Sequence, residues 1–203
     1  MTRGRYVALE GIEGAGKSTV AASLVDRLTD RGMPVVAVRE PGGTALGEEI
    51  RRMLLHAGDM SPWAEALLFA AQRAQLAAEV VGPALDRGRW VVSDRSYYSS
   101  LAYQGAARGL GVDAVRGVNE AGLQGVVPDL VIVLDVEPSI GLRRQAVPDR
   151  IGGEGEGFQR AVAAAFRSLA ASEPDRVVLV DAAAPRDVVV DSVMARVEGR
   201  WSS

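Results

Sequence analysis

The sequence predicts a three-layer α/β sandwich built on a five-stranded parallel sheet, and three observations carry that reading. Five short runs of consecutive apolar, largely β-branched residues recur along the 203-residue chain. Enough residues separate the runs for crossover helices, and strands covered on both faces read as continuous apolar runs rather than alternating ones. The composition, 48% hydrophobic and 24% charged, is that of an ordinary globular domain able to bury one sizeable core.

The runs are Tyr6 to Leu9, Val35 to Val38, Trp90 to Val92, Leu130 to Val136 and Val177 to Val180. Between them, Ser61 reads as an N-cap with Pro62 at the first helical position, opening a long helix towards Leu85 that Pro83 is expected to kink. Asp113 is expected to cap a helix running to Gln124, and a last helix should run from about Pro185 to the Trp201 region. No repeat or composition break divides the chain, so residues 1–203 read as one domain. From Gln145 to Gly157, Pro148 and Gly152, Gly153, Gly155 and Gly157 interrupt helical sequence. Composition alone favours a plain surface loop there; the functional reading of about 145–157 is a mobile lid.

With 23 Lys plus Arg against 26 Asp plus Glu, the net charge of -3 argues against a protein held to a nucleic acid polymer or an anionic membrane by bulk electrostatics. Any polyanion it binds must be small and locally gripped. The absence of cysteine excludes a disulfide scaffold, a thiolate nucleophile and a Cys-ligated metal, and it fits a reducing, cytoplasmic setting. The uncharged stretch from Ser96 to Ala107 is too short to span a membrane, and Glu10 comes too early for a secretory signal. Among the cations, Lys17 is the only lysine. A GC-rich coding bias accounts for arginine elsewhere, which makes the exception informative: a compact ammonium on a flexible stem was kept where a planar guanidinium does not serve.

That lysine closes Gly11-Ile12-Glu13-Gly14-Ala15-Gly16-Lys17-Ser18, a G-x-x-x-x-G-K-[ST] phosphate loop between the first strand and an amphipathic helix that continues with Thr19. The glycines let backbone N–H groups curl around a phosphate at the positive end of a helix dipole. Lys17 reaches the β and γ phosphates of a bound nucleotide, and the Ser18 hydroxyl ligates Mg²⁺. A GTPase is disfavoured because the N-K-x-D motif needs a second lysine, and a partitioning ATPase fails for the same reason. The loop holds no arginine, so a cation for the transferred group must come from elsewhere.

The second run ends in Arg39-Glu40-Pro41-Gly42-Gly43-Thr44 and the third in Ser93-Asp94-Arg95, at the strand ends where open α/β sheets bind ligands. Phe69 and Arg73 share a helix face at i, i+4 and, with those cations, suggest an anionic aromatic acceptor. At the same time Leu67, Leu68 and Phe69 fit a core. His56, near a helix end beside Gly58, reads as structural or solvent-facing.

At this point the chain resembles the bacterial thymidylate kinases over nearly its whole length. The motifs are E-G-x-E-G-A-G-K-S, R-E-P-G-G-T, L-L-F-A-A-Q-R, S-D-R followed by S-S-L-A-Y-Q-G, V-P-D-L-V-I-V-L-D-V and D-R-I-G. The resemblance implies the P-loop nucleoside monophosphate kinase fold, a homodimer, and conversion of dTMP and ATP to dTDP and ADP with Mg²⁺. It implies that Arg95 and Arg39 grip the dTMP phosphate, Phe69 stacks on thymine, Arg73 bonds a thymine carbonyl, and Ser100 and Gln104 line the base pocket. Glu13 would lie near the 3′-hydroxyl, Tyr103 against the 2′ carbon, and Asp94 would support Mg²⁺ through water. Phe166 stands where the family commonly has tyrosine, and the lid offers few cations. Because an anionic phosphate oxygen is already a nucleophile, no general base is needed. Lys17, Arg95 and a lid cation are then the expected catalytic groups. Arg150, inside the lid next to Asp149, is the expected lid cation, with Arg144 lying along the adenine. Two other readings stay open: a deoxynucleoside kinase with Glu40 as base, and a non-catalytic nucleotide-binding module.

Overall fold

The computed structural model describes residues 2–144 and 150–201, and among them five parallel strands form one sheet in the order β2-β3-β1-β4-β5. The strands are β1 (Tyr6–Glu10), β2 (Val35–Arg39), β3 (Trp90–Asp94), β4 (Leu130–Asp135) and β5 (Val177–Asp181), each within two residues of an apolar run. Tyr6 lies opposite Val91 and Val7 opposite Leu130, so β1 is central and buried throughout. From β1 the chain steps over β3 to reach β2, and from β3 it crosses to the other side. The carboxyl ends of β1 and β3 therefore flank the topological switch point, where such sheets open a crevice.

The crossover helices cover both faces. α1 (Lys17–Asp30) buries Val20, Ala21, Leu24 and Leu28, spaced to fall on one stripe. α2 (Ala45–His56) is capped by Thr44, whose hydroxyl accepts the Gly47 N–H at 2.9 Å. α3 (Pro62–Leu76) starts at Ser61 as the sequence implies, with Ser61 Oγ accepting from Ala64 N at 3.3 Å. It runs through a π-helical turn, Ala77–Val81, into α4 (Gly82–Asp86). The expected kink at Pro83 is thus a local widening, since proline has no N–H to donate and its ring needs room beside the preceding turn.

α5 (Tyr97–Ser100) continues into a buried π-helical segment, Leu101–Ala107, which packs against α6 (Val112–Leu123) and α8 (Glu156–Ser172). At α6 the expectation needs correction: Gly111 occupies the N-cap and Asp113 lies in the first turn, where its charge still suits the helix dipole. α7 (Pro138–Arg144) follows β4, and α9 (Arg186–Trp201) closes the chain. Residues 145–149 of the expected lid, with Pro148 and Asp149, lie outside the described residues. Its second half comprises a turn at Arg150 and Ile151, a 3₁₀ turn at Gly152–Glu154, then the start of α8, which already contains Gly157.

The core is one cluster joining β1, β3 and β4 to both helical layers through Leu9, Leu24, Ile132 and Tyr98. Each such side chain contributes about 1.5–3 kcal/mol by leaving water. Phe166 belongs to it, packed edge-on against Tyr103 with ring centroids 6.4 Å apart. A hydroxyl there would have to find a partner among apolar groups. Among the described residues no helix is long and apolar enough to cross a membrane.

Candidate active site

β1 delivers the phosphate loop to the N-terminus of α1, and Gly16 makes the turn with φ 95. A side chain would strain that left-handed backbone, and no side chain caps the helix, so its first N–H groups face the crevice. The loop is held from behind at close quarters. A Cβ on Gly14 would lie 2.0 Å from the Gly141 carbonyl oxygen, and one on Gly141 would lie 2.5 Å from that of Glu13, so α7 rests directly on the loop backbone. From α8, the Gln159 carboxamide oxygen accepts the Glu13 N–H at 3.3 Å.

Lys17 folds back over this loop, its Nζ donating to the carbonyls of Gly11 at 3.1 Å and Ile12 at 2.8 Å. Burial and the neighbouring Arg95 guanidinium push its pKa down to about 8. The Ser18 hydroxyl donates to Asp94 Oδ2, at the end of β3, at 2.5 Å. A hydroxyl and a carboxylate oxygen thus meet beside the loop.

The acceptor wall follows. Arg95 has φ 74, an uncommon backbone for a side chain of its size. Its guanidinium donates to Ser99 Oγ at 3.1 Å, forms an ion pair with Glu13 and lies over the Tyr103 ring, 5.2 Å from the centroid. The Arg95 charge holds the Glu13 carboxyl below the usual carboxylate range. Arg39, mostly exposed, meets both oxygens of Glu48 at 3.3 Å. These loops, with Phe69, Ser100, Tyr103 and Gln104, enclose a cavity of about 540 Å³ that also touches Lys17, Ser18, Thr19 and Asp94. That volume suits a small-molecule site. Arg144 sits at its edge, donating to the Ala182 carbonyl at 3.0 Å, where a second hollow runs along Ala15 and residues 182–186.

Most of the expected site residues therefore converge, and Gly11, Ile12, Ala15, Arg73 and Arg150 do not line the cavity. Arg73 is buried behind the wall, its guanidinium bonded to Glu40, Ser100 Oγ, Asn119 Oδ1 and the Ser96 carbonyl. In this structure Arg73 supports the wall from behind, one of its bonds going to Ser100, which lines the cavity. Arg150 is anchored elsewhere: Nε donates to the Leu54 carbonyl at 2.9 Å and Nη1 pairs with Glu65 at 2.8 Å. Gly11 and Ile12 contribute backbone carbonyls to Lys17 rather than lining. Glu40 is buried, and Arg73 and Gln72 hold its carboxylate, so a role as base towards a sugar hydroxyl is not favoured.

Arg51 and Leu55 also line the cavity from α2, Arg51 Nη1 donating to the Pro41 carbonyl at 2.7 Å. Their i, i+4 spacing directly after the Arg39–Thr44 block was the available signal. Glu10, Glu65 and Gln159 carried none.

A phosphate loop on one wall of a strand-end crevice and guanidinium groups on the facing wall are the arrangement of a P-loop phosphotransferase acting on a small anionic acceptor. The match to known proteins narrows the class: residues 9–193 match the family model described as thymidylate kinase. The thymidylate kinase of Deinococcus radiodurans is 43% identical over 204 aligned residues, covering 98% of this chain and 99% of that one. That of Pelotomaculum thermopropionicum is 43% identical over 202, covering 97% and 94%. That of Synechococcus sp. (strain JA-3-3Ab) is 45% identical over 177, covering 87% of each. The chain belongs to the thymidylate kinase family.

Proposed function

We infer that the protein transfers the γ-phosphoryl group of ATP to dTMP, giving dTDP and ADP. The observation that carries the reading is the single cavity into which the phosphate loop and the Arg39–Arg95 wall both open. ATP lays its β and γ phosphates on the loop N–H groups and Lys17, with adenine towards Arg144 and the hollow along residues 182–186. dTMP sets its phosphate between Arg39 and Arg95, its base against Phe69, Ser100 and Gln104, and its sugar between Tyr103 and Glu13. To receive it, Arg39 exchanges Glu48, and Arg95 exchanges Glu13, for the dTMP phosphate. A dTMP phosphate oxygen then attacks the γ phosphorus as the bond to the β-bridging oxygen breaks. The residues supply alignment and positive charge, and none needs to remove a proton.

Ser18 Oγ and Asp94 Oδ2, 2.5 Å apart, form a hard-oxygen pair that suits Mg²⁺. Ser18 would hold the ion directly and Asp94 through water, and the ion would supply charge neutralisation between the β and γ phosphates. Arg150 is the proposed lid cation, parked at Glu65 in this conformation.

The reading includes one domain, a cytoplasmic setting and a homodimer. The dimer is supported by the apolar stripe that Trp63 and Leu67 leave exposed one turn apart on α3. Light scattering at micromolar concentration reads the dimer directly, and a monomer would remove it. The function is tested by ADP release from ATP with dTMP, dUMP, dCMP, dAMP or dGMP. Preference for dTMP is expected. Preference for another base would overturn the reading, and ATP binding without turnover of any acceptor would leave a binding module.

A further inference from the structure

We propose that Glu65 is a positioning residue that sets the base preference of the cavity by fixing which end of the Gln104 carboxamide meets the nucleobase. The proposal rests on the reading of the cavity as a dTMP site. Glu65 stands in the first turn of α3 and is 1% exposed, where a glutamate persists only if it is well paired. One carboxylate oxygen accepts Gln104 Nε2 at 2.8 Å and Arg108 Nε at 3.2 Å. The other accepts Arg108 Nη2 at 3.2 Å and pairs with Arg150 Nη1 at 2.8 Å. Burial works to raise the pKa of this carboxyl, but the hydrogen bonds from Gln104, Arg108 and Arg150 outweigh it and hold the group below the usual range.

An ionised carboxylate can only accept hydrogen bonds. The end of Gln104 that faces Glu65 must therefore be the NH₂, and a flipped amide would set oxygen against oxygen in a buried place. With Nε2 fixed on Glu65, Oε1 is the end left for the cavity that Gln104 lines. It is an acceptor. Thymine and uracil carry a donor, N3–H, at the centre of their pairing edge; cytosine carries a lone pair there. Gln104 meets the base, and Glu65, which does not line the cavity, decides the sense in which it does so. The same carboxylate fastens the turn at Arg150, and Arg108 carries the tie on to Glu154 at 2.7 Å.

Glu65→Gln tests this, because the geometry dictates how the new amide lies. Guanidinium groups cannot accept, and two of their donors, Arg108 Nη2 and Arg150 Nη1, meet one oxygen while only Arg108 Nε meets the other. The amide oxygen therefore stays with the pair, and its NH₂ turns to Gln104, the one neighbour able to flip, at the loss of the Arg108 Nε bond. Gln104 then offers NH₂ to the base. The ratio of kcat/KM for dTMP over dCMP is expected to fall about tenfold or more. Any change in the lid from loosening Arg150 affects both substrates and cancels in the ratio. Arg108→Met, which weakens the cluster but leaves the Glu65–Gln104 bond, should lower Tm while holding the ratio within about twofold. In the wild-type protein without nucleotide, the Gln104 side-chain NH₂ should exchange slowly with solvent, as a donor to a buried carboxylate. Fast exchange of that NH₂, an unchanged ratio in folded Glu65→Gln, or an equal loss of ratio in Arg108→Met overturns the proposal. Failure of the wild type to phosphorylate dTMP would instead overturn the reading of the cavity.

Discussion

The Glu10 carboxylate accepts both the backbone N–H of Ser96, at 2.7 Å, and the Ser96 hydroxyl, at 2.8 Å. It also accepts the N–H and hydroxyl of Ser99, at 3.1 and 2.6 Å. Four donors thus converge on one buried carboxyl, whose pKa burial raises. The turn they fasten carries Arg95 in its left-handed conformation. Such a conformation persists where the surroundings over-determine it, and here they aim the guanidinium at the crevice.

Replacing Glu10 with Ala removes the acceptor for all four donors and leaves the Ser96 and Ser99 N–H groups unpaired in a buried place. The turn loosens, and KM for dTMP is expected to rise about tenfold, with a much smaller change in KM for ATP. Steady-state kinetics with each substrate varied in turn decides it. A dTMP KM within twofold of wild type in a folded variant would remove the role assigned to Glu10.

Lys17 gives a pH dependence of definite sign. In the free enzyme its amine loses its proton near pH 8. Bound phosphates favour the ammonium and raise that value, so nucleotide binding takes up a proton above it. Affinity for a non-hydrolysable ATP analogue should be nearly flat well below pH 8 and fall by up to about tenfold per unit above it. Calorimetric titration between pH 7 and 9.5 measures this. Flat affinity across the range would mean that Lys17 stays charged in the free crevice.

Tyr103 is packed edge-on between Phe158 and Phe166, with ring centroids at 6.0 and 6.4 Å, while its face lies under Arg95. Tyr103→Ala should narrow the preference for dTMP over its ribonucleotide counterpart, because a steric wall is removed while the phosphate grip stays. The lost packing costs about 3–5 kcal/mol of stability. Tyr103→Phe keeps the wall and should keep the preference. If both variants retain the wild-type ratio of kcat/KM, the ring is a core residue and not a gate on the sugar.

Arg150→Ala should lower kcat on the order of 10³ with little change in dTMP affinity, the size of a lost arginine finger. The ties to Leu54 and Glu65 make this a demanding prediction, since the guanidinium must leave both to reach the phosphates. Single-turnover rates for Arg150→Ala and Arg144→Ala, side by side, separate the candidates. A near-normal rate in the first and a large loss in the second transfers the role to Arg144, which already borders the cavity.

The five strands and the phosphate loop were legible in the sequence because their signals are local: a continuous apolar run, or a fixed spacing of glycines around Lys17 and Ser18. Arg39, Phe69, Arg95 and Gln104, which meet at the cavity, were legible through the family motifs that contain them. Residues defined by what they face across the fold were not. Glu10 reads as the polar end of a strand, Glu65 as the acidic first turn of a helix, and Gln159 as an ordinary helical position. Each is buried and bonded to another element more than 35 positions away. Arg73 shows the converse. Its spacing from Phe69 placed it correctly on α3, but one helical turn separates a residue in the cavity from one behind its wall.

The near-complete replacement of lysine by arginine has a chemical corollary. The sequence contains one ε-amino group, and it stands on the cavity wall against the phosphate loop. An amine-acylating reagent therefore meets a single reactive side chain, and the lowered pKa of Lys17 makes that amine more nucleophilic near neutrality than an ordinary lysine. Side-chain adduct formation, weighed by mass spectrometry, becomes a count of crevices left open, and ATP should shield the group it covers. A surface written in guanidinium groups has left the amine folded over the phosphate loop as the protein's one covalently addressable lysine.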